Sequence, residues 1–261
     1  MIYITGDTHG DFKRFSANNF PEQKQMTRED YVIILGDFGG IWHKETNNQD
    51  CMCTTEKKNE EYWLDWLNDR PFTTLFIDGN HENFTRLNNY PVKKYHGGLV
   101  NVIRPNVLHL KRGEIFNLEN KTFFVFGGAS SHDIQDGILD VEDPTWKKKA
   151  KQLDKQNKFR YRIKGLSWWE EELPSQNEMD NGLLNLEKYN HKVDYILTHC
   201  ASASTVALLG QGLYEQDILT RYLQKIREKT EFNKWLFGHY HDNRVINNQE
   251  YLLYEQIVRL L

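Results

Sequence analysis

Tyr31-Val32-Ile33-Ile34-Leu35-Gly36-Asp37-Phe38-Gly39-Gly40 reads as an apolar β-strand that runs straight into a carboxylate set among glycines. A short unbroken apolar run bounded by turn residues marks a strand buried on both faces. Working outward, the same pattern recurs. Ile2–Thr5 leads into Asp7-Thr8-His9-Gly10, and Thr74–Ile77 into Gly79-Asn80-His81-Glu82. Tyr195–Thr198 leads into His199, and Trp235–Phe237 into Gly238-His239-Tyr240-His241. Ligands of open α/β sheets gather at the carboxyl ends of strands, so these polar residues should converge on one rim.

Between these strands lie polar and helical stretches, which predicts a mixed α/β (α+β) architecture. Val107–Leu110, Glu114–Asn117 and Thr122–Phe126, separated by Lys111-Arg112-Gly113 and Glu119-Asn120, predict an antiparallel meander. Arg244–Ile246 and Tyr251–Tyr254 predict a second hairpin around Asn247-Asn248-Gln249. Two mixed sheets packed face to face, with helices outside, fit this better than a doubly wound fold. Helical spacing of Trp63, Leu64 and Leu67 predicts a helix over Glu60–Asn68. Others are expected over Asn83–Asn88 and over Glu215–Glu228, the latter with Ile218, Leu219, Tyr222 and Ile226 on one side.

The 261 residues suit one domain spanning 1–261, with insertions expected at 42–58 and 130–189. A net charge of -4 is too mild to draw nucleic acid by bulk attraction. No apolar run approaches the roughly 20 residues needed to span a bilayer, and the first residues read as a strand, so a cytoplasmic protein is expected. Three cysteines without a secretory signal argue against a disulfide framework. Structural zinc asks for four ligands at wider spacing, so Cys51 and Cys53 read as an ordinary loop pair. Cys200 reads as a small buried residue beside His199.

Asp, Asn and His converging without cysteine are what two divalent metal ions need. Such ions share a bridging ligand, usually a carboxylate, and Asp37 is the natural bridge because its glycines allow a tight approach. Asp7 and His9, one residue apart, are able to point to the same side of the opening loop. His239 and His241 share that spacing, Asn80 offers a neutral amide oxygen, and His199 completes the set. Imidazole suits zinc or iron while carboxylate and amide oxygens suit manganese, so Mn, Fe or Zn is expected, with Mn favoured. Each motif alone is an ordinary turn or core residue. Together, in this order and each at a strand end, they point to a metallohydrolase.

The ordered set Asp7-x-His9, Gly36-Asp37, Gly79-Asn80-His81-Glu82, His199 and Gly238-His239-x-His241 resembles the calcineurin-like metallophosphoesterases. The motifs span nearly the whole chain. The resemblance implies a four-layer αββα sandwich of two mixed β-sheets flanked by helices, with an inserted helical cap segment. It implies one ion on Asp7, His9, Asp37 and His241, and another on Asp37, Asn80, His199 and His239. It gives catalytic roles to Asp37, as the bridge, and to His81, which contacts phosphate and protonates the leaving oxygen, while Glu82 orients its neighbours. The implied reaction is hydrolysis of a phosphate mono- or diester by hydroxide generated at two divalent metal ions.

One departure bears on substrate. The Ser/Thr protein phosphatase branch follows its bridging Asp with a Val-Asp-Arg-Gly type segment, whose Arg helps hold phosphate. Here Phe38-Gly39-Gly40-Ile41 stands in that place, which speaks against a protein phosphatase. Arg86 and Arg104 are the candidates to compensate. A nuclease is a further alternative. A catalytically dead scaffold would be expected to lose His81 or several ligands, and this chain retains them all. His132 and Asp133 follow Gly127-Gly128-Ala129 at a strand end and are candidates to face the cleft, a polar loop being the other reading. The basic run Lys147–Lys164 suits a polyanionic substrate such as a nucleotide or oligonucleotide, or else a solvated helical face. Trp168 and Trp169 are placed either to stack a base or to anchor a cap on its core.

Overall fold

A computed structural model of the chain describes residues 1–43, 51–210 and 214–261, with side chains from residue 57 onward in the first helix. The first half carries β1 (Ile2–Thr5), β2 (Tyr31–Leu35), α1 (Cys51–Asn68), β3 (Thr73–Ile77) and the single-turn α2 (Phe84–Leu87). It continues through β4 (Val92–Tyr95), β5 (Gly98–Arg104), β6 (Val107–Leu110), β7 (Ile115–Leu118) and β8 (Lys121–Phe126). Then come β9 (Gly137–Asp140), α3 (Trp146–Lys155), β10 (Tyr161–Lys164) and α4 (Gln176–Lys188). The last stretch holds β11 (Tyr195–Thr198), α5 (Ala203–Gly210), α6 (Ile218–Lys229), β12 (Lys234–Phe237), β13 (Arg244–Val245), β14 (Glu250–Leu252) and β15 (Val258–Arg259).

Two large mixed sheets result. One has the order β15-β1-β2-β3-β6-β5-β4, the other β13-β14-β12-β11-β8-β7. The strands that carry the polar rim are parallel neighbours: β1 with β2, β2 with β3, and β11 with β12. Their carboxyl ends therefore lie side by side.

Side-chain alternation builds the layers. Ile2, Ile33, Leu35, Leu75 and Ile77 of the first sheet meet Phe123, Val125, Leu197 and Leu236 of the second, in a core between the sheets. The intervening residues point the other way. Tyr3, Val32, Ile34 and Phe76 pack outward against Leu64 and Leu67 of α1. Phe124, Phe126, Ile196 and Trp235 pack against Met179 and Leu186 of α4 and Leu219, Leu223 and Ile226 of α6. Strands apolar on both faces are thus explained: each is covered by a sheet on one side and helices on the other. The fold is a four-layer αββα sandwich. Among the described residues, no helix is long and apolar enough to cross a membrane.

The expected meander is corrected. β6 lies in the seven-stranded sheet between β3 and β5, while β7 and β8 form a hairpin in the other sheet. Alternation tells which face of a sheet a residue takes, not which sheet. The crossover is fixed by Arg112, whose buried guanidinium donates from Nε to Asp78 Oδ2 at 2.8 Å. The β4–β5 hairpin was not expected; His96 and Gly97 turn it at φ 44° and 100°, the two positive values a tight hairpin favours. The expected helices lie within or against α1, α2 and α6. Cys51 and Cys53 open α1 rather than a loop; their side chains and residues 44–50 lie outside the description.

The segment after β8 contains a small parallel pair, β9 with β10, joined through α3. Trp169, at its end, is buried and donates from Nε1 to Thr85 Oγ1 at 3.0 Å, with its ring 5.6 Å from Trp42. It anchors the segment on the core, the second of its two sequence readings.

Burial predicts where mutation hurts. Leu197→Ala, in the core between the sheets, should lower unfolding free energy by about 2–5 kcal/mol, whereas Leu184→Ala, on the exposed face of α4, should change it by less than about 0.5 kcal/mol. Urea unfolding of both variants in chelator checks the contrast.

Candidate metal centre

The rim is built by loops that leave β1, β2, β3, β11 and β12 at their carboxyl ends. Asp7, Asp37, Asn80 and His199 are buried there, while His9 and His241 are exposed at the mouth. Asp7, His9, Asp37 and His241 each offer one donor atom within 4.8 Å of all the others. His9 Nε2 lies 3.8 Å from both Asp7 Oδ2 and Asp37 Oδ2, and 3.0 Å from His241 Nε2. On the other side of Asp37, His199 Nε2 lies 3.4 Å from Asp37 Oδ1 and 3.3 Å from Asn80 Oδ1. The His239 ring stands 5.0 Å from that of His199. Its backbone N–H donates to Asp7 Oδ1 at 3.0 Å.

Two glycines make this density of donors possible. A Cβ on Gly79 would sit 2.0 Å from Asp37 Oδ1, and one on Gly36 would sit 2.2 Å from His199 Nδ1. The bare backbone is where the neighbouring strand's side chain packs. His9, Asp37, His239 and His241 themselves hold φ values of 46°, 43°, 71° and 49°. Non-glycine residues at such φ are uncommon, cost on the order of 1–3 kcal/mol each, and cluster at functional sites.

The electrostatics follow from two buried carboxylates among imidazoles. Burial pushes the Asp37 carboxyl upward, but His199, with His81 and His9, outweighs it and holds it well below the usual range. Burial likewise opposes a charged His199, yet Asp37 and Asp7 together raise it to about 9. Burial drives His239 well down, with His199 and His132 adding to the effect. His9 is lowered by burial, against Asp37 and Asp7, and His241 is raised by Asp7. Glu82, which accepts from the Phe38 backbone N–H at 2.7 Å, is pushed well up by burial and then by Asp37.

Do these residues fit a cation? Asp7 Oδ2 is buried and accepts no hydrogen bond, although His241 Nε2 is 3.2 Å away and His9 Nε2 3.8 Å. A buried carboxylate oxygen without a partner is costly, and a cation held between it and the imidazoles would remove that cost. The donor set of carboxylate, imidazole and amide suits a borderline divalent ion. The residues fit.

His81 donates its backbone N–H to Asp37 Oδ1 at 2.7 Å, and its ring lies 5.5 Å from that of His9. It borders a cavity of about 320 Å³ together with Phe12, Trp42 and Trp63. Arg86 and Arg104 are not among the residues lining this cavity. Arg86 Nη1 donates to Glu60 Oε2 at 2.6 Å and to the His43 carbonyl at 2.7 Å, and Arg104 pairs with Asp65 and Glu61, so each guanidinium holds a carboxylate of α1.

Sequence reasoning missed several supports. Arg14 Nη2 donates to the Asp7 carbonyl at 2.8 Å, and Ser131 Oγ accepts from Asn80 Nδ2 at 3.3 Å. Glu172 Oε2 accepts from the Ser131 N–H at 3.3 Å, and burial raises its carboxyl to about 8. None of these sits in a motif or a periodic pattern, so no sequence signal marks them. His132 was a candidate to face the cleft, and its Nε2 lies 2.9 Å from His239 Nε2.

Buried carboxylates, imidazoles and an amide at the strand ends of a four-layer sandwich define a candidate cluster for divalent ions. The profile of the calcineurin-like phosphoesterases matches residues 1–243 of the 261, and the chain belongs to that family. None of the curated proteins compared with the chain matches it.

The left-handed backbone is testable apart from the chemistry. His241→Ala and His241→Gly remove the same imidazole, but glycine also relieves the backbone. The glycine variant should exceed the alanine variant in stability by about 1 kcal/mol, measured by denaturant unfolding in chelator. Equal stabilities would mean that the φ at this position carries no strain.

Proposed function

We propose that this chain is a two-metal phosphoesterase that hydrolyses a phosphate mono- or diester. The observation that carries this reading is the placement of Asp37. One of its carboxylate oxygens faces His9, within the cluster of Asp7 and His241, and the other faces His199, whose Nε2 also lies 3.3 Å from Asn80 Oδ1. Asp37 would bridge the two sets: Asp7, His9 and His241 on one side, and Asn80, His199 and His239 on the other. Two divalent ions, with manganese the first to try, would supply charge for the phosphoryl oxygens and acidify an attacking water.

The chain's own residues do the rest. Asp37 Oδ1 holds the His81 backbone N–H, and the His81 ring lies 5.5 Å from that of His9. His81 would donate the proton that the departing oxygen needs as its bond to phosphorus breaks. Trp42, Phe12 and Trp63 line the cavity next to it, where an apolar part of the leaving group would rest. The absence of an arginine after Asp37, with Arg86 and Arg104 committed to α1, weighs against a protein phosphatase.

A second reading concerns substrate size. Lys147, Lys148, Lys151 and Lys155 line one open groove of about 490 Å³ on α3, without a carboxylate partner among the described residues. Phe159 is exposed close by in sequence. A cationic groove with an exposed ring favours a single-stranded oligonucleotide, with the 130–189 segment serving as its platform.

Two experiments test these readings. His81→Ala should keep its metal content and lose about 100-fold to 10,000-fold in turnover on an aryl phosphodiester, while Asp37→Asn should lose both metal and turnover. Full activity in His81→Ala would remove His81 from the reaction. For the second reading, Lys151→Glu combined with Lys155→Glu should weaken hydrolysis of an oligonucleotide, steeply so at low salt, and leave the small diester unchanged. Equal effects on both substrates would assign α3 to a solvated face.

A further inference from the structure

Every imidazole that serves a cation has two nitrogens, and what engages one decides which is left for the ion. His199 is settled by its backbone partner. Its Nδ1–H donates to the Leu35 carbonyl at 2.7 Å, which turns Nε2 toward Asp37 and Asn80. For His239 the partner is another imidazole. Its Nε2 lies 2.9 Å from His132 Nε2, and no other hydrogen bond to the His239 ring occurs among the described residues. Two nitrogens at that distance share one proton, with one ring donating and the other accepting.

His132 does not stand alone. Ser131, just before it, accepts from the Asn80 amide at 3.3 Å. Asp133, just after it, accepts from Arg162 Nε of β10 at 2.9 Å. Three consecutive residues thus grip Asn80, His239 and the β9–β10 pair in turn. The His132 ring is further held against Tyr214, at 5.1 Å between centroids, in the wall of a cavity of about 450 Å³.

We infer that His132 is a positioning residue for the second metal subsite: it accepts the Nε2–H of His239 and so presents His239 Nδ1 to the ion. The inference rests on the two-ion reading above. The Asn80 amide is oriented by the same strap, since a hydrogen bond from Nδ2 to Ser131 leaves Oδ1 turned toward His199. Two of the three donors particular to the second subsite, Asn80 and His239, are therefore set by residues 131–133, and Arg162 ties those residues to the inserted segment.

The test reads metal and tautomer rather than turnover. Mn²⁺ is titrated calorimetrically into metal-free wild type, His132→Ala and His132→Gln. Wild type should take two equivalents. His132→Ala should keep the first and bind the second about 10–100-fold more weakly. His132→Gln, which restores an acceptor at similar reach, should recover most of the loss. Nitrogen-15 spectra of the zinc-loaded wild type should place the His239 proton on Nε2. Undiminished binding in His132→Ala, no recovery in His132→Gln, or a proton on His239 Nδ1 would each overturn the inference. A wild type that takes a single equivalent overturns the two-ion reading itself and this inference with it, and is told apart by the unmutated chain.

Discussion

The rim is organised by one buried carboxylate. Asp37 accepts the Thr8 and His9 backbone N–H groups on its own carbonyl, at 3.1 and 2.7 Å, so the loops after β1 and β2 are joined through it. Its Oδ1 takes the His81 N–H, which joins the loop after β3, and the same oxygen faces His199 from the other sheet. Four segments distant in sequence therefore meet on two acceptor atoms of one residue. A carboxylate this buried must be balanced by positive charge or hydrogen bonds. Here Asp37 and Asp7 raise the His199 imidazole to about 9, and burial with Asp37 pushes the carboxyl of nearby Glu82 well up. The site is thus matched to a charge that it does not itself carry in full.

Much of this was legible in the residue order, for a physical reason. A strand covered on both faces must be apolar throughout, and only its carboxyl end can afford a metal donor. The five apolar runs and the polar residues behind them are therefore visible as pairs. Sheet membership is not visible in the same way. The apolar run Val107–Leu110 fits a parallel place beside β3 as well as an antiparallel place beside β7, and the contact that accompanies the observed place, between Arg112 and Asp78, spans 34 positions of sequence. β4 escaped because it is an exposed edge, with Val92 half in solvent, so no alternation marks it. In the strap, His132 and Asp133 were legible as strand-end residues, but Ser131 and the partners of all three escaped for a different reason. Its residues act through single contacts to groups 51, 107 and 29 positions away, which leave no periodic trace.

Backbone conformation is the other part that sequence hides. His9, Asp37, His239 and His241 occupy the region of φ that glycine takes most easily, yet each position needs a side chain. For His9, Asp37 and His239 a glycine stands instead just before or after, at Gly10, Gly36 and Gly238, where it absorbs close contacts. Backbone freedom and side-chain chemistry are divided between adjacent residues at these three positions. Neither residue of such a pair explains the turn alone.

His9 and His241 touch at 3.0 Å although 232 positions separate them. Contacts of such sequence separation are slow to form, because the intervening chain must first be ordered. During synthesis the carboxylates of the first sheet are made well before β11 and β12 bring their histidines. The two sheets must dock before Asp7 meets His241, so the rim is a late product of folding. An ion that binds the finished rim would pin together the earliest and the latest strands of the sandwich, and would act on the rate at which the sheets part.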